Sequence, residues 1–385
     1  MTFEDTATRT GARADLTTPR LLLETERLAR NAERMRARCA ALGVVLRPHL
    51  KTAKSLDVAK VADAGSFGPI TVSTVKEAAY FAQGGYRDIL YAVALAPSKL
   101  RQIDAIQTQT GARILLVVDS VAAAQALVAA ACGASSVLHV LIEVDCGEHR
   151  SGVAPEAEAL LPIARALAGS AVQLAGVMTH AGHSYAAADP DVIADIAEDE
   201  RHAAVTAATL LREAGFPCPI VSMGSTPTVL FARHLAGITE VRCGIYMMWD
   251  LAQLSRGMCE QDDLAVSVLA TVIGHNRAAG SLVIDAGALA LSKDLGANTF
   301  LPDARYGYVC DPVSLERLGD LSVDVVHQEH GTVHVRDPLW FARLPIGALV
   351  RILPNHACIT CAAYDHYDLM DGGRPVGIWE RINGW

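Results

Sequence analysis

At 385 residues the chain is longer than one small hydrophobic core can organise, so a large domain with a smaller companion is the expected division. A formal charge of -9 excludes a uniformly basic nucleic-acid surface while leaving room for a locally basic channel, and a mean hydropathy of +0.26 lies far from a disordered composition. No apolar window reaches membrane length and the opening MTFEDTATRTGARADL lacks the basic-then-apolar order of a signal peptide, so the expected location is the cytoplasm, with no membrane and no nucleic acid as partner.

In chain order, TPRLLLE (18–24) reads as a strand and RLARNAERMRARCAALG (27–43) as a helix. Eight apolar, often β-branched runs follow: VVLRPHLKT (44–52), PITVST (69–74), DILYAV (88–93), RILLVVDS (113–120), LHVLIEVD (138–145), LAGVMTHAG (174–182), PIVSMGST (219–226) and TEVRCGIY (239–246). Their continuous hydrophobicity suits parallel strands covered on both faces. Between them, 98–109, 121–132 and 196–215 carry strong helix formers at helical spacing, and VLFARHLAG (229–237) is helix-like. Eight βα units in about 210 residues predict a TIM-type α/β barrel over residues 25–254. After residue 255 the runs alternate and are punctuated by Gly, Pro and Asp, which predicts a second, mainly antiparallel β domain built from 1–24 plus 255–385.

In such barrels chemistry gathers at the carboxyl ends of the strands, where His49, Lys51, His180, Ser225 and Tyr246 fall. Lys51 reads as a surface cation, a phosphate contact or a Schiff-base nucleophile, and Arg47, His49 and Lys54 are the neighbours that could tune it. MGSTPT (223–228) suits either a tight turn or a phosphate cradle. With CGIY (243–246) on the last strand it matches the place where phosphate sites of barrels lie, and a sugar-phosphate enzyme would fit equally well.

The nine cysteines are too scattered for a secreted disulfide scaffold, and most should be small buried hydrophobes. Cys358 differs because His356 stands two residues before it. On a strand the two side chains would share a face and could grip one metal ion, zinc by preference; two partly buried core residues are the alternative. His180, His183 and Tyr185 in HAGHSY, and His327 and His330 in HQEHG, are further polar candidates, and Met247, Met248 and Trp249 are either core or the wall of an apolar recess.

Taken together, RPHLKTAKS, ITVSTVKEA, EVDCGEHRSGV, THAGHSY, GSTPT, EVRCGIY, QEHG and LPNHAC resemble the fold-type III pyridoxal-phosphate enzymes of the D-serine dehydratase and D-threonine aldolase family. The stretches span nearly the whole chain and look most similar to the dehydratase branch that includes 3-hydroxy-D-aspartate dehydratase. The resemblance implies an alanine racemase-like barrel with Lys51 tethering pyridoxal 5'-phosphate. It places Ser225 and Thr226, with amides near Gly224, Gly244 and Ile245, on the phosphate, Tyr185 beside the ring, and Arg150 on the substrate side. It also implies that His356 and Cys358 hold zinc, manganese or another divalent ion, and that the chain forms a head-to-tail homodimer with shared active sites.

The activity so implied is dehydration of a D-3-hydroxyamino acid, such as D-serine or 3-hydroxy-D-aspartate, to a 2-oxo acid and ammonia. The alternatives are a metal-dependent aldolase giving glycine and an aldehyde, with His183 as a base, a non-catalytic pyridoxal-phosphate-binding protein, and a racemase. The aldolase branch more often looks like His-x-Asp at 356–358, so Cys358 favours the dehydratase.

Overall fold

The computed structural model describes residues 17–385, so the placement of residues 1–16 in the second domain lies outside the described residues. The described chain opens with strand β1 (Arg20–Glu24) and helix α1 (Thr25–Leu42) and forms two compact units. One is Ala32–Tyr246 with Gly384–Trp385; the other is the segment ending at Asn31 with Met247–Asn383.

The first unit is built on eight parallel strands: β2 (Val45–Leu46), β3 (Ile70–Val72), β4 (Asp88–Tyr91), β5 (Arg113–Val118), β6 (Leu138–Val144), β7 (Val172–Thr179), β8 (Ile220–Met223) and β9 (Glu240–Val241). They run in the order β2-β9-β8-β7-β6-β5-β4-β3. A parallel bridge between His49 and Thr71, with Leu50 N–H donating to Thr71 O at 2.9 Å and Thr71 N–H to Pro48 O at 2.9 Å, joins the two ends into a barrel. The expected strands are therefore all present and closed as a TIM-type barrel, each shorter than its apolar run because residues such as Arg47 and His49 belong to the strand ends. Leu90, Leu115, Val117, Leu141, Ala175 and Met178 pack as one cluster, and truncating a buried leucine of this kind costs roughly 2–5 kcal/mol.

Helices α2 (Leu56–Ala62), α3 (Val75–Gln83), α4 (Leu100–Thr110), α5 (Val121–Ala130), α6 (Ala157–Leu167), α7 (Pro190–Glu213) and α8 (Thr226–Phe231) follow the first seven barrel strands in turn. Two depart from expectation at their starts. Helix α7 begins six residues before Ile196, because the Asp189 carboxylate accepts Asp191 N–H and Pro190 supplies the first helical φ. Helix α8 begins inside GSTPT and ends at Phe231, since Ser225 caps it; residues 232–237 of the helix-like run are loop.

The second unit carries a ten-stranded sheet in the order β13-β12-β16-β10-β1-β17-β18, with β11, β15 and β14 branching from β10. Its further strands are β10 (Val266–Asn276), β11 (Ser281–Ile284), β12 (Gly307–Cys310), β13 (Arg317–Ser322), β14 (Val325–Val326), β15 (Gly331–His334), β16 (Leu349–Pro354), β17 (His366–Asp371) and β18 (Arg374–Glu380). All described pairings are antiparallel except β1 with β17. Gly287 and Gly331 let DAG and QEHG lie against each other: a Cβ on Gly287 would meet His327 O at 2.5 Å, and one on Gly331 would meet Ala286 O at 2.5 Å. His327 and His330 are themselves exposed. No described helix is long and apolar enough to cross a membrane.

Candidate active site

The segment leaving β2 presents two lysines in different electrostatic states. Lys54, at φ 47°, places Nζ 2.6 Å from Glu77 Oε1. Glu77 sits in the first turn of α3; its other carboxylate oxygen accepts Ser73 N–H at 3.0 Å, and Thr74 caps the helix by accepting Glu77 N–H at 3.0 Å. Lys51 is exposed, and its amine has neither ion pair nor hydrogen bond among the described residues. Burial, then the charges of Lys51 and Arg242, hold His49 well below the usual histidine range. Arg47 does not act as a neighbouring free cation. It is 1% exposed and grips the Glu240 carboxylate through Nε and Nη2, both at 2.8 Å, while Nη1 reaches Asp88 at 2.9 Å.

The loops after β7 and β8 are tied together by a buried carboxylate that sequence reading overlooked. Glu200 Oε1 accepts Ala181 N–H and Gly224 N–H, each at 3.0 Å, and the Thr179 hydroxyl at 3.2 Å. Its signal was present in the sequence: Glu200 interrupts the buried alanine stripe of α7 formed by Ala197, Ala203, Ala204 and Ala207. Arg242, also overlooked, is buried, donating to Ser222 Oγ at 2.6 Å and to Thr179 O. His180 Nδ1–H donates to Gly224 O at 3.1 Å. Burial pushes this histidine down to about 3, despite the opposing pull of that hydrogen bond.

Gly224 adopts φ 127°, and a Cβ there would meet Arg242 O at 2.9 Å. Gly244 is required for close approach: its Cβ would lie 2.5 Å from His49 O. The expected phosphate donors divide into two sets. Gly224 N–H is committed to Glu200, Ser225 N–H donates to Thr228 Oγ1 at 3.1 Å, and Ser225 Oγ lies 2.9 Å from Ser184 Oγ. By contrast, Thr226 Oγ1 is buried with no partner, and the amides of Gly244 and Ile245 donate to nothing among the described residues. A buried hydroxyl and two amides left without acceptors fit a phosphate group. Tyr246 is enclosed in the barrel unit, and burial raises its hydroxyl well above the ordinary tyrosine range.

Beyond β6, Asp145 organises the 146–150 loop by accepting Gly147 N–H at 2.9 Å and His149 N–H at 3.1 Å. Arg150 is largely exposed and lies 3.4 Å from Glu148, whose carboxylate covers Gly182: a Cβ there would come within 2.0 Å of Glu148 Oε1. His183, on the turn Gly182–Ala186, faces Gly147 and has a buried Nδ1 with no partner. Tyr185 is half-buried on the same turn.

In the second unit His356 and Cys358 are not on a strand. β16 ends at Pro354, His356 is the N-cap of the short helix Ala357–Cys361, and both ligand candidates project from that turn. Asp250, fully buried, accepts Ala357 N–H at 2.9 Å, so the first amide of this helix is satisfied by a carboxylate rather than by a neighbouring strand. The two side chains nevertheless touch, the imidazole and the thiol sharing a hydrogen bond. His356 Nδ1 lies 2.6 Å from Asp294 Oδ2. Burial opposes charge on this ring, but Asp294 and then Cys358 and Asp250 carry it up to about 11, while the same hydrogen bond lowers Asp294 below the carboxylate range. The described residues contain no group of three or more His, Cys, Asp and Glu side chains arranged to hold a metal ion. An imidazole beside a thiol is a donor pair suited to a borderline-soft divalent ion that completes its shell with other ligands.

Comparison with known proteins places the chain. Residues 23–251 match the family described as "Alanine racemase, N-terminal domain", and residues 265–370 match a serine dehydratase domain. The chain is 44% identical over 375 residues to a D-threo-3-hydroxyaspartate dehydratase of Delftia sp. strain HT23, covering 96% of this chain and 98% of that one. It is 29% identical over 383 residues to a 3-hydroxy-D-aspartate aldolase of Paracoccus denitrificans Pd 1222, covering 95% and 92%. Among solved structures, a cysteine-to-alanine variant of D-threo-3-hydroxyaspartate dehydratase in the metal-free form superposes with a TM-score of 0.93 at 43% identity, covering 97% of this chain and 99% of that one. The chain therefore belongs to the alanine racemase-like fold-type III family that unites these dehydratases and aldolases, and pyridoxal phosphate is the cofactor that membership implies. It is an enzyme of the lyase class.

Proposed function

We infer that the protein is a pyridoxal-phosphate-dependent dehydratase, an ammonia-lyase converting a D-3-hydroxyamino acid, 3-hydroxy-D-aspartate first among them, to a 2-oxo acid and ammonia. The observation that carries this reading is 44% identity over 96% of the chain to a D-threo-3-hydroxyaspartate dehydratase, in a chain whose Lys51 amine pairs with nothing among the described residues. When bound, the cofactor supplies an electron sink at the substrate Cα, and a divalent ion, zinc in this reading with manganese as the alternative, supplies Lewis acidity toward the leaving hydroxyl.

The chain's own residues do the rest. Lys51 Nζ would hold the cofactor, and its amine, when free, would be the base that takes the substrate Cα proton. His49 and His180 stay uncharged around neutral pH, so they position without adding positive charge beside that amine. Thr226 Oγ1 with the Gly244 and Ile245 amides binds the phosphate, while Ser225 and Gly224 shape the turn that presents them. Tyr185 would flank the cofactor ring, and His183 would give a proton to the departing β-hydroxyl so that it leaves as water. Arg150 supplies the cation that a substrate with two carboxylates requires. His356 and Cys358 hold the divalent ion. A head-to-tail homodimer in the cytoplasm is part of the same proposal.

The test is to incubate the purified, zinc-loaded protein with D- and L-serine, D-threonine and the 3-hydroxyaspartate stereoisomers, quantifying ammonia, 2-oxo acids, glycine and aldehydes together. Equimolar ammonia and 2-oxo acid from a D-3-hydroxyaspartate isomer is the expected result. Glycine with an aldehyde would select the aldolase chemistry of the 29% identical relative instead, and stoichiometric cofactor binding without turnover would leave only a binding protein.

A further inference from the structure

We propose that Asp294 is a positioning residue for the metal pair, fixing the His356 imidazole with Nδ1–H toward its own carboxylate and Nε2 toward the ion; this rests on reading His356 and Cys358 as metal ligands.

The geometry on both sides of the Asp294 carboxylate supports the assignment. Oδ1 is held by its own turn, accepting Gly296 N–H at 2.8 Å, and Asp294 N–H donates to Ser292 Oγ at 3.2 Å. With one oxygen locked into the backbone, the other is aimed at His356 Nδ1 at 2.6 Å, within the range of a charge-assisted hydrogen bond. A carboxylate accepts only, so the shared proton resides on Nδ1, and Nε2 is the nitrogen left to give up its proton to an incoming ion, which yields the tautomer a ligating imidazole needs. Asp250 acts one step further back. Its Oδ1 accepts Gln253 N–H at 3.0 Å and its Oδ2 accepts the N–H of Ala357, the residue joining the two ligand positions. One carboxylate therefore sets the ring and the other sets the backbone between imidazole and thiol. Carboxylates that orient a ligating histidine in this way typically change metal affinity by roughly 10–100-fold when removed.

The experiment is a zinc titration of the full-length protein, stripped with chelator and read against a competing chromophoric chelator, for wild type, Asp294→Asn, Asp294→Glu, His356→Ala and Cys358→Ala. The expected result is that Asp294→Asn raises the zinc dissociation constant by roughly 10–100-fold, with unchanged stoichiometry, unchanged metal-free thermal midpoint and unchanged visible absorbance of the lysine-linked cofactor. Asp294→Glu, which keeps the acceptor, restores much of the loss. An Asp294→Asn constant within twofold of wild type, or a loss matched by a fall in the metal-free thermal midpoint, would overturn the proposal. Failure of the underlying reading has a separate signature: His356→Ala and Cys358→Ala would then both bind zinc as wild type does.

Discussion

Lys54 Nζ lies 2.6 Å from Glu77 Oε1, and that carboxylate is 1% exposed. The pair separates two lysines that stand three residues apart in RPHLKTAKS and look alike in the sequence. Removing Lys54 strands a buried charge, which costs about 3 kcal/mol or more, whereas an exposed unpaired lysine contributes within roughly 0.5 kcal/mol. Urea unfolding of the cofactor-free protein should therefore show Lys54→Ala strongly destabilised and Lys51→Ala close to wild type. Turnover and the absorbance of lysine-linked cofactor should instead vanish in Lys51→Ala. A Lys51→Ala variant that still carries covalently linked cofactor would transfer the role elsewhere.

The barrel was legible because its signal is repeated: eight apolar runs, most of them ending in polar or small residues, leave little else for the chain to form. The fate of each strand-end group was not. Arg47 and Lys51 are both cations beside β2, yet one is consumed by Glu240 and Asp88 and the other is not, and both acids come from distant sequence. Glu200 and Asp294 were missed for the same reason, since each acts on a loop 19 or more residues away, at Ala181 and His356. The strand expected to bring His356 and Cys358 together is a helix start instead, though the two side chains still touch. At this helix start the N-cap backbone of His356 is still extended, so side chains two apart can meet, while Asp250 accepts the N–H of Ala357 between them.

Glu200 should behave as a fastener of the cofactor end rather than as ordinary core. Glu200→Ala leaves three donors without their acceptor, each orphan costing roughly 1–3 kcal/mol, while Glu200→Gln retains a carbonyl oxygen for them. Titration with pyridoxal phosphate should show affinity falling more in Glu200→Ala than in Leu115→Ala, a core truncation that removes only packing. Parallel losses in the two variants would reduce Glu200 to general stability.

At Gly244 the constraint is space. The nearest atom to an added Cβ would be a main-chain oxygen, His49 O at 2.5 Å, which cannot swing aside like a flexible side-chain tip. Gly244→Ala should destabilise by about 1–3 kcal/mol and lower cofactor occupancy together, because relief requires moving the segment that carries Lys51. Gly111→Ala is the control: φ 70° makes alanine unfavourable there, but nothing lies within 4 Å, so stability alone should fall by about 1 kcal/mol. Normal cofactor binding in Gly244→Ala would separate the Gly244 contact from the site.

His180 predicts the direction of acid sensitivity. Burial depresses it from the ordinary 6.5 to about 3, so between those values the unfolded chain binds more protons than the folded one. The stability it confers is complete above pH 6.5 and declines as the pH falls, by at most about 1.4 kcal/mol per pH unit from this one group. His49 is depressed for the same reason and adds a slope of the same sign. Replacing His180 with Asn keeps an N–H donor for Gly224 O and removes the titration. Urea midpoints of the cofactor-free protein, measured in steps from pH 7 to about pH 5, should therefore fall less steeply in His180→Asn than in wild type. Other titrating groups are common to both proteins and cancel in that difference, so identical slopes would mean that His180 accepts its proton in the fold as readily as in the unfolded chain.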